Sequence, residues 1–403
     1  DNVYAGAASI WENGYKLAEN ERYQTASSMI LADIDVERLD GLRRKSAAFR
    51  NLSADRTYET INAGDPCRTD FEKALYRHVE PHPFVPEEDL GYRCREILEI
   101  QVAGLIKRLS HINCQTAVIG ISGGLDSTLA LLVAVMAFDK LGWSRDRIVA
   151  VTMPGFGTTV RTKSNATDLM EGLGTTLREI SIVPACEQHF KDIAHDPSKH
   201  DATYENSQAR ERTQILMDIA NQTNGLVVGT GDLSEMALGW ATYNGDHMSM
   251  YGVNAGVPKT LVRSLVKWAA ENRFENVSKI LLDIVDTPIS PELLPANEKG
   301  EIQQVTEDLV GPYELHDFFI YNFMRFGYSP EKIYFLAKKA FEGSYDEETI
   351  LKWLKTFVRR FFSQQFKRSC MPDGPKVGSV GLSPRGDWDM PSDAWSTLFR
   401  DSI

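Results

Sequence analysis

Between an apolar run and the start of an apolar helix pattern the chain carries Ser122-Gly123-Gly124-Leu125-Asp126-Ser127. Two adjacent glycines let a main chain approach an anion and turn its N–H groups toward it. Serine hydroxyls at either end add donors, and the following helix presents its positive N-terminus. Pyrophosphate suits such a cradle. The string is not the Walker pattern G-x-x-x-x-G-K-[ST], because it lacks the lysine. It carries a carboxylate instead, Asp126, which is unfavourable beside phosphate unless a cation lies between them. Magnesium fits, since it takes one or two carboxylates together with substrate phosphates. A second string, Thr230-Gly231-Asp232-Leu233-Ser234-Glu235, also follows an apolar run, and Glu235 is the candidate for the second carboxylate. A competing reading makes Asp126 only the cap of a helix beginning at Ser127.

The surrounding sequence supplies the elements that would hold these strings. Strand patterns at 116–121, 147–153, 178–183 and 225–230 alternate with helix patterns at 90–109, 127–138, 164–174 and 207–223. Such alternation implies parallel βαβ units and an α/β, doubly wound parallel sheet with helices on both faces. In open sheets of this kind ligands bind beyond the carboxyl ends of the strands. Both strings fall there, as does Met153-Pro154-Gly155.

The chain has 403 residues, 42% hydrophobic and 25% charged, with a formal net charge of -12. It is long enough for two or three domains, and its acidity argues against a general nucleic-acid or membrane-surface binder. Five cysteines without C-x-x-C spacing suit reduced thiols in a cytoplasmic protein. No run approaches the ~20 apolar residues of a membrane span. The chain opens on Asp1, so an upstream segment is expected to have preceded it. Asn13-Gly14 between two strand-like runs signals a hairpin, and 27–45 reads as a strand followed by a polar helix. Residues 53–88 read as a linker that ends in the proline-bearing VEPHPFVPEED stretch. The Gly/Pro-rich C-terminal segment is too long for a connector and suits a lid or a subunit contact.

The S-G-G-x-D-S string resembles the mark of the PP-loop ATP pyrophosphatases. Four further blocks, at 154–166, 204–221, 229–261 and 366–388, make residues 90–403 similar to the glutamine-dependent NAD synthetases. The resemblance implies a synthetase domain over 89–403 and, over 1–52, only the last part of a nitrilase-like glutaminase domain. It implies ATP-dependent amidation of deamido-NAD through an adenylated nicotinate, with release of AMP and pyrophosphate. Carried over by position, Gly120, Ile121, Ser122, Gly123, Gly124, Leu125, Asp126 and Ser127 would meet the ATP phosphates, and Thr230 would also touch ATP. Asp126 and Glu235 would meet Mg²⁺. Asn206, Glu235, Trp240 and Lys367 would contact deamido-NAD, and Arg210 and Lys259 would be the cations facing ATP.

Plainer readings compete for several of these positions. Asn206 could cap a helix beginning at Ser207, Arg210 could line a solvated helix face, and Trp240 could be core. None of the cysteines stands in a nucleophile context, so the chain is expected to use ammonia, with glutamine serving only through the rest of the glutaminase domain. A homo-oligomer is implied by resemblance alone. Other readings are a different PP-loop adenylating enzyme, GMP synthetase-like or tRNA-thiolating, or a non-catalytic ATP-binding module.

Overall fold

The computed structural model describes residues 2–50, 59, 61, 75–85, 88–287, 293 and 306–403. The expected linker at 53–88, and Cys67 within it, lie largely outside these residues. Strands β1 (Ser9–Glu12) and β2 (Tyr15–Glu19) form the antiparallel hairpin expected around Asn13-Gly14. Both turn residues have positive φ, 47° and 82°, as a two-residue hairpin turn requires.

Helices α1 (Val36–Lys45) and α2 (Ala47–Arg50) follow. The strand expected ahead of α1 does not form, since no neighbouring strand pairs with 27–35 among the described residues. Asp35 from that stretch instead caps α1 and accepts a hydrogen bond from the Tyr328 hydroxyl at 2.6 Å. This ties the N-terminal piece to the C-terminal helices.

The main body begins with α3 (Leu90–Ile112) and alternates as follows: β3 (Thr116–Gly120), α4 (Leu125–Leu141), β4 (Ile148–Thr152), α5 (Val160–Leu173), β5 (Thr176–Glu179), α6 (Val183–Asp192), α7 (Ala202–Gln222), β6 (Gly225–Gly229), α8 (Leu233–Leu238), β7 (Tyr251–Gly252) and α9 (Lys259–Asn272). After α10 (Ser278–Val285) come α11 (Thr306–Val310), α12 (Tyr313–Tyr321), α13 (Pro330–Ala340), α14 (Glu347–Ser363), α15 (Gln365–Arg368) and α16 (Thr397–Arg400). The strand expected at 178–183 starts and ends earlier. Ile180–Val183 leaves the sheet because Pro184 sets up the first turn of α6, a helix the sequence reading missed.

The five strands stand in the order β5-β4-β3-β6-β7, all parallel. The chain winds outward from β3 to β5, then returns to the other side of β3 for β6 and β7. The direction reverses between β3 and β6, and a crevice opens there beyond the strand ends. One face of the sheet packs against α3, α4, α5, α9 and α10, the other against α6 and α7. A separate apolar cluster joins α8, α12, α13 and α14 with Met371, Val380 and Leu382 of the C-terminal segment. That segment is packed rather than loose: Gly252 N–H, at the end of β7, donates to Asp373 O at 2.7 Å.

Among the described residues no helix is long and apolar enough to cross a membrane. The described cysteines, Cys94, Cys114, Cys186 and Cys370, are unpaired.

Candidate active site

The crevice at the β3/β6 reversal is a cavity of about 450 Å³. Its floor is the turn from β3 into α4, and every residue from Gly120 to Ser127 lines it. The turn is shaped from within. Ser122 Oγ lies 3.2 Å from Ser127 Oγ and accepts from Gly124 N–H at 3.2 Å, while Ser127 Oγ donates to Gly124 O at 3.1 Å. Gly123 has φ +86°, and a Cβ there would lie 2.3 Å from Thr162 O. Only glycine fits both the left-handed backbone and the close approach of α5. Helix α4 starts at Leu125 with Gly124 as its N-cap and no capping side chain, so its first N–H groups face the cavity end. Asp126 therefore sits inside the first turn, and the reading that makes it the cap of a helix at Ser127 is corrected.

Opposite this turn, α8 begins with a capping box. Asp232 Oδ1 accepts from Glu235 N–H at 2.7 Å, and Glu235 Oε2 faces Asp232 N–H. This local device fixes the direction of the Glu235 carboxylate. Across the gap, the carboxylates of Asp126, Asp232 and Glu235 offer oxygens that all lie within 4.8 Å of one another.

Lys259, the first residue of α9, reaches under them. Its Nζ is 2.5 Å from Asp126 Oδ2, 2.9 Å from Asp232 Oδ2 and 2.9 Å from Glu235 Oε1. Lys259 is 2% exposed and does not line the cavity. Expected to face ATP, its ammonium here meets the chain's own carboxylates, one of them Asp126 of the cavity wall.

Charge in this cluster is not balanced. Burial pushes the Glu235 carboxyl up to about 7, partly offset by Lys259 and reinforced by Asp126. Burial likewise holds Asp232 well above the usual carboxylate range. Burial also disfavours the Lys259 ammonium, but the three carboxylates outweigh it and hold its pKa well above that of an ordinary lysine. Asp126 Oδ1 is buried and has no hydrogen-bond partner.

The far wall comes from α7 and from the C-terminal helices. Glu205, Asn206, Ala209, Arg212, Thr213 and Leu216 of α7 line the cavity, which is helical spacing on one face. Arg210 is one position off that face. Expected to face ATP, it does not line the cavity here, and its Nε donates to Tyr243 O at 3.2 Å. Asn206 lines the cavity from inside α7, which starts at Ala202 and is capped by Asp201. It is therefore not the helix cap, and its Oδ1 accepts from Thr242 Oγ1 at 2.8 Å.

Thr230, Glu235, Trp240 and Lys367 all line the cavity. Lys367 Nζ donates to Gly239 O at 2.7 Å and Ala241 O at 2.6 Å, and burial, followed by the nearby Arg360, pulls its pKa below the ordinary lysine range.

Arg360 was not foreseen. It lines the cavity from α14, donates to Leu238 O at 2.9 Å and holds its guanidinium 5.1 Å from the Trp240 ring centroid. Its place is set by the apolar stripe of α14, which the sequence displays, but the partner of that stripe is not readable there. Asp232 was also missed as a cluster member, although its spacing to Glu235 is that of a capping box.

Comparison with known proteins identifies the family. A family described as NAD synthase matches residues 97–334. The glutamine-dependent NAD(+) synthetase of Mycobacterium leprae is 43% identical across the whole chain, and that of Mycobacterium tuberculosis is also 43% identical across it. The chain spans 64% of the length of each. A crystal structure of a glutamine-dependent NAD(+) synthetase from Cytophaga hutchinsonii superposes with a TM-score of 0.64 at 21% identity, covering 76% of this chain and 55% of that one, and speaks for the fold. With the family match covering more than half of its length, the chain belongs to the NAD synthase family.

Proposed function

We propose that the chain is the synthetase part of a glutamine-dependent NAD synthetase. In this reading a nicotinate carboxylate oxygen of deamido-NAD attacks the α-phosphorus of ATP. The bond from that phosphorus to the bridging oxygen breaks, and pyrophosphate leaves. Ammonia then attacks the acyl carbon of the adenylate and AMP departs, leaving the amide of NAD. The observation that carries the proposal is the lysine-free Gly120–Ser127 cradle, which carries Asp126, converging with Glu235 in one cavity, in a chain of this family. The cradle's amides and hydroxyls would receive the departing pyrophosphate, and adenylyl transfer asks chiefly for positioning and charge stabilisation. Trp240, Asn206 and Lys367 on the opposite wall would hold the dinucleotide.

Magnesium suits the residues present. Asp126 and Glu235 open onto the cavity, Asp126 Oδ1 is an orphaned buried acceptor, and, after burial, the crowding of the carboxyls raises the pKa of Asp232 and Glu235, a repulsion that a dication would relieve. Asp126 and Glu235 would hold it, and when bound it would draw charge from the phosphate oxygens. Lys259 would then set the spacing of the carboxylates rather than touch ATP.

We assign residues 1–52 to the end of a glutaminase domain, 53–88 to a linker and 89–403 to the synthetase. The remaining glutaminase portion would act in the same polypeptide or as a separate piece, in a cytoplasmic homo-oligomer. Unpaired Cys94, Cys114, Cys186 and Cys370 support a reducing compartment.

The deciding experiment measures pyrophosphate release from ATP and Mg²⁺ with and without deamido-NAD, and then NAD formation with ammonium or glutamine. Release that depends on deamido-NAD, and amidation by ammonium but not glutamine, are expected. Release independent of deamido-NAD would refute the reading, and equal rates with glutamine would refute the assignment of ammonia as this chain's own nitrogen source.

A further inference from the structure

Two loops from opposite sides of the strand-order reversal must keep a fixed separation, or Asp126 and Glu235 would not converge. The first follows β3 and the second follows β6, and no sheet hydrogen bond joins them beyond the strand ends. Lys259 ties their carboxylates together, and among the described residues a second side chain ties their main chains. Asn254, in the turn between β7 and α9, donates from Nδ2 to Asp126 O at 2.9 Å and to Thr230 O at 3.0 Å. Its amide thus uses both hydrogens on the two loops at once.

Asn254 is itself held. Gln101 of α3 donates from Nε2 to Asn254 Oδ1 at 3.1 Å and to Val253 O at 2.9 Å. Both side chains are fully buried. The two acceptors fix the orientation of the Gln101 amide, because the flipped form would set its oxygen against two others. Gln101 Oε1 is then left buried without a hydrogen-bond partner, a standing cost that serves no packing purpose an apolar residue would not meet better. The turn also continues into the site: Val257 N–H donates to Asn254 O at 2.8 Å, and Val257 O accepts from Leu233 N–H, the first residue of α8, at 2.9 Å.

We infer that Asn254, oriented by Gln101, is a positioning residue that sets the distance between the phosphate cradle and the Thr230–Glu235 loop. It touches neither substrate nor the reacting atoms and acts through Asp126 and Thr230. The kinetic part of the inference rests on the reaction proposed above, whereas the structural part does not.

The test uses Asn254→Asp, which keeps the shape but turns a double donor into an acceptor facing two carbonyls. Gln101→Leu is the milder second variant, which frees Asn254 without altering it. Amide hydrogen exchange on the whole chain is read first. Faster exchange at 122–127 and 230–232, with β3 and β4 amides unchanged, is expected. Unchanged loops, or a uniform rise across the sheet in the milder variant, would overturn the inference. In turnover with ATP, Mg²⁺, deamido-NAD and ammonium, kcat is expected to fall by about tenfold or more while KM for ATP moves far less. Equal loss in both parameters would also overturn it. If the wild-type chain shows no deamido-NAD-dependent turnover, the functional reading fails and the exchange result alone decides the positioning role.

Discussion

Lys259→Met is the most searching single change. The methionine matches the length and apolar stem of lysine, so packing at the start of α9 is nearly kept while the ammonium is lost. Lys259 is 2% exposed and its Nζ meets three carboxylates at 2.5, 2.9 and 2.9 Å. Removing one partner of a buried ion pair costs about 3–5 kcal/mol, because the remaining charge keeps its desolvation penalty without compensation. Here three partners lose their cation together, which places the cost toward the upper end. Protonation of Glu235, whose carboxyl already stands at about 7, limits it.

For a protein of this size 3–5 kcal/mol corresponds to a fall in Tm of roughly 4–6 °C. The assay is thermal unfolding of wild type and variant near neutral pH, first with chelator and then with Mg²⁺ in excess. The variant should melt well below wild type in chelator and should gain more from Mg²⁺, since a dication fills the charge deficit. Equal melting temperatures in chelator would refute the argument that Lys259 is the counter-charge of the cluster. An equal gain from Mg²⁺ would refute the assignment of the metal to these carboxylates.

Two further outcomes follow from the same geometry. Gly123→Ala should abolish pyrophosphate release while leaving the chain folded, because a Cβ 2.3 Å from Thr162 O must displace either the cradle or the start of α5; near-normal turnover would count against the cradle. His316 is fully buried, its Nε2 donates to Val310 O at 2.6 Å, and burial pulls its pKa down to about 4. A depressed folded pKa gives stability that is fully present above about 6.5 and lost as pH falls toward 4. Relative to His316→Phe, the wild type should therefore lose roughly 3 kcal/mol between neutral pH and pH 4. A gap between the two that does not change with pH, measured by urea unfolding, would contradict this.

The sheet was legible because its strands are short apolar runs separated by helical periodicity, and because the loop chemistry sits at their ends. Strand β7 was not, since two residues, Tyr251 and Gly252, make no pattern. Their strand character comes from pairing with Val228 and Gly229. Types of site residue could also be named from sequence, but not their partners. Lys259 and Arg210 illustrate the difference. A basic residue in a family block suggests an anion, yet one finds its anions in its own chain's carboxylates and the other faces away by about a hundred degrees of helix. Asn254 and Gln101 left no signal at all, because a buried amide in sequence looks like any other polar residue in a turn or on a helix.

The bond from Gly252 N–H to Asp373 O bears on the order in which the protein assembles. The floor of the cavity is made from residues near 120 and 230, while Arg360 and Lys367 of its wall, and the segment pinned to β7, come from far later in the chain. Contacts between such distant segments form late in folding, after local helices and neighbouring strands are in place. On this argument the sheet with its cradle is expected to form before the last helices dock. Binding at the wall becomes a reporter of complete folding, so ligand-dependent protection from protease should appear only when α14 and α15 have closed over α8.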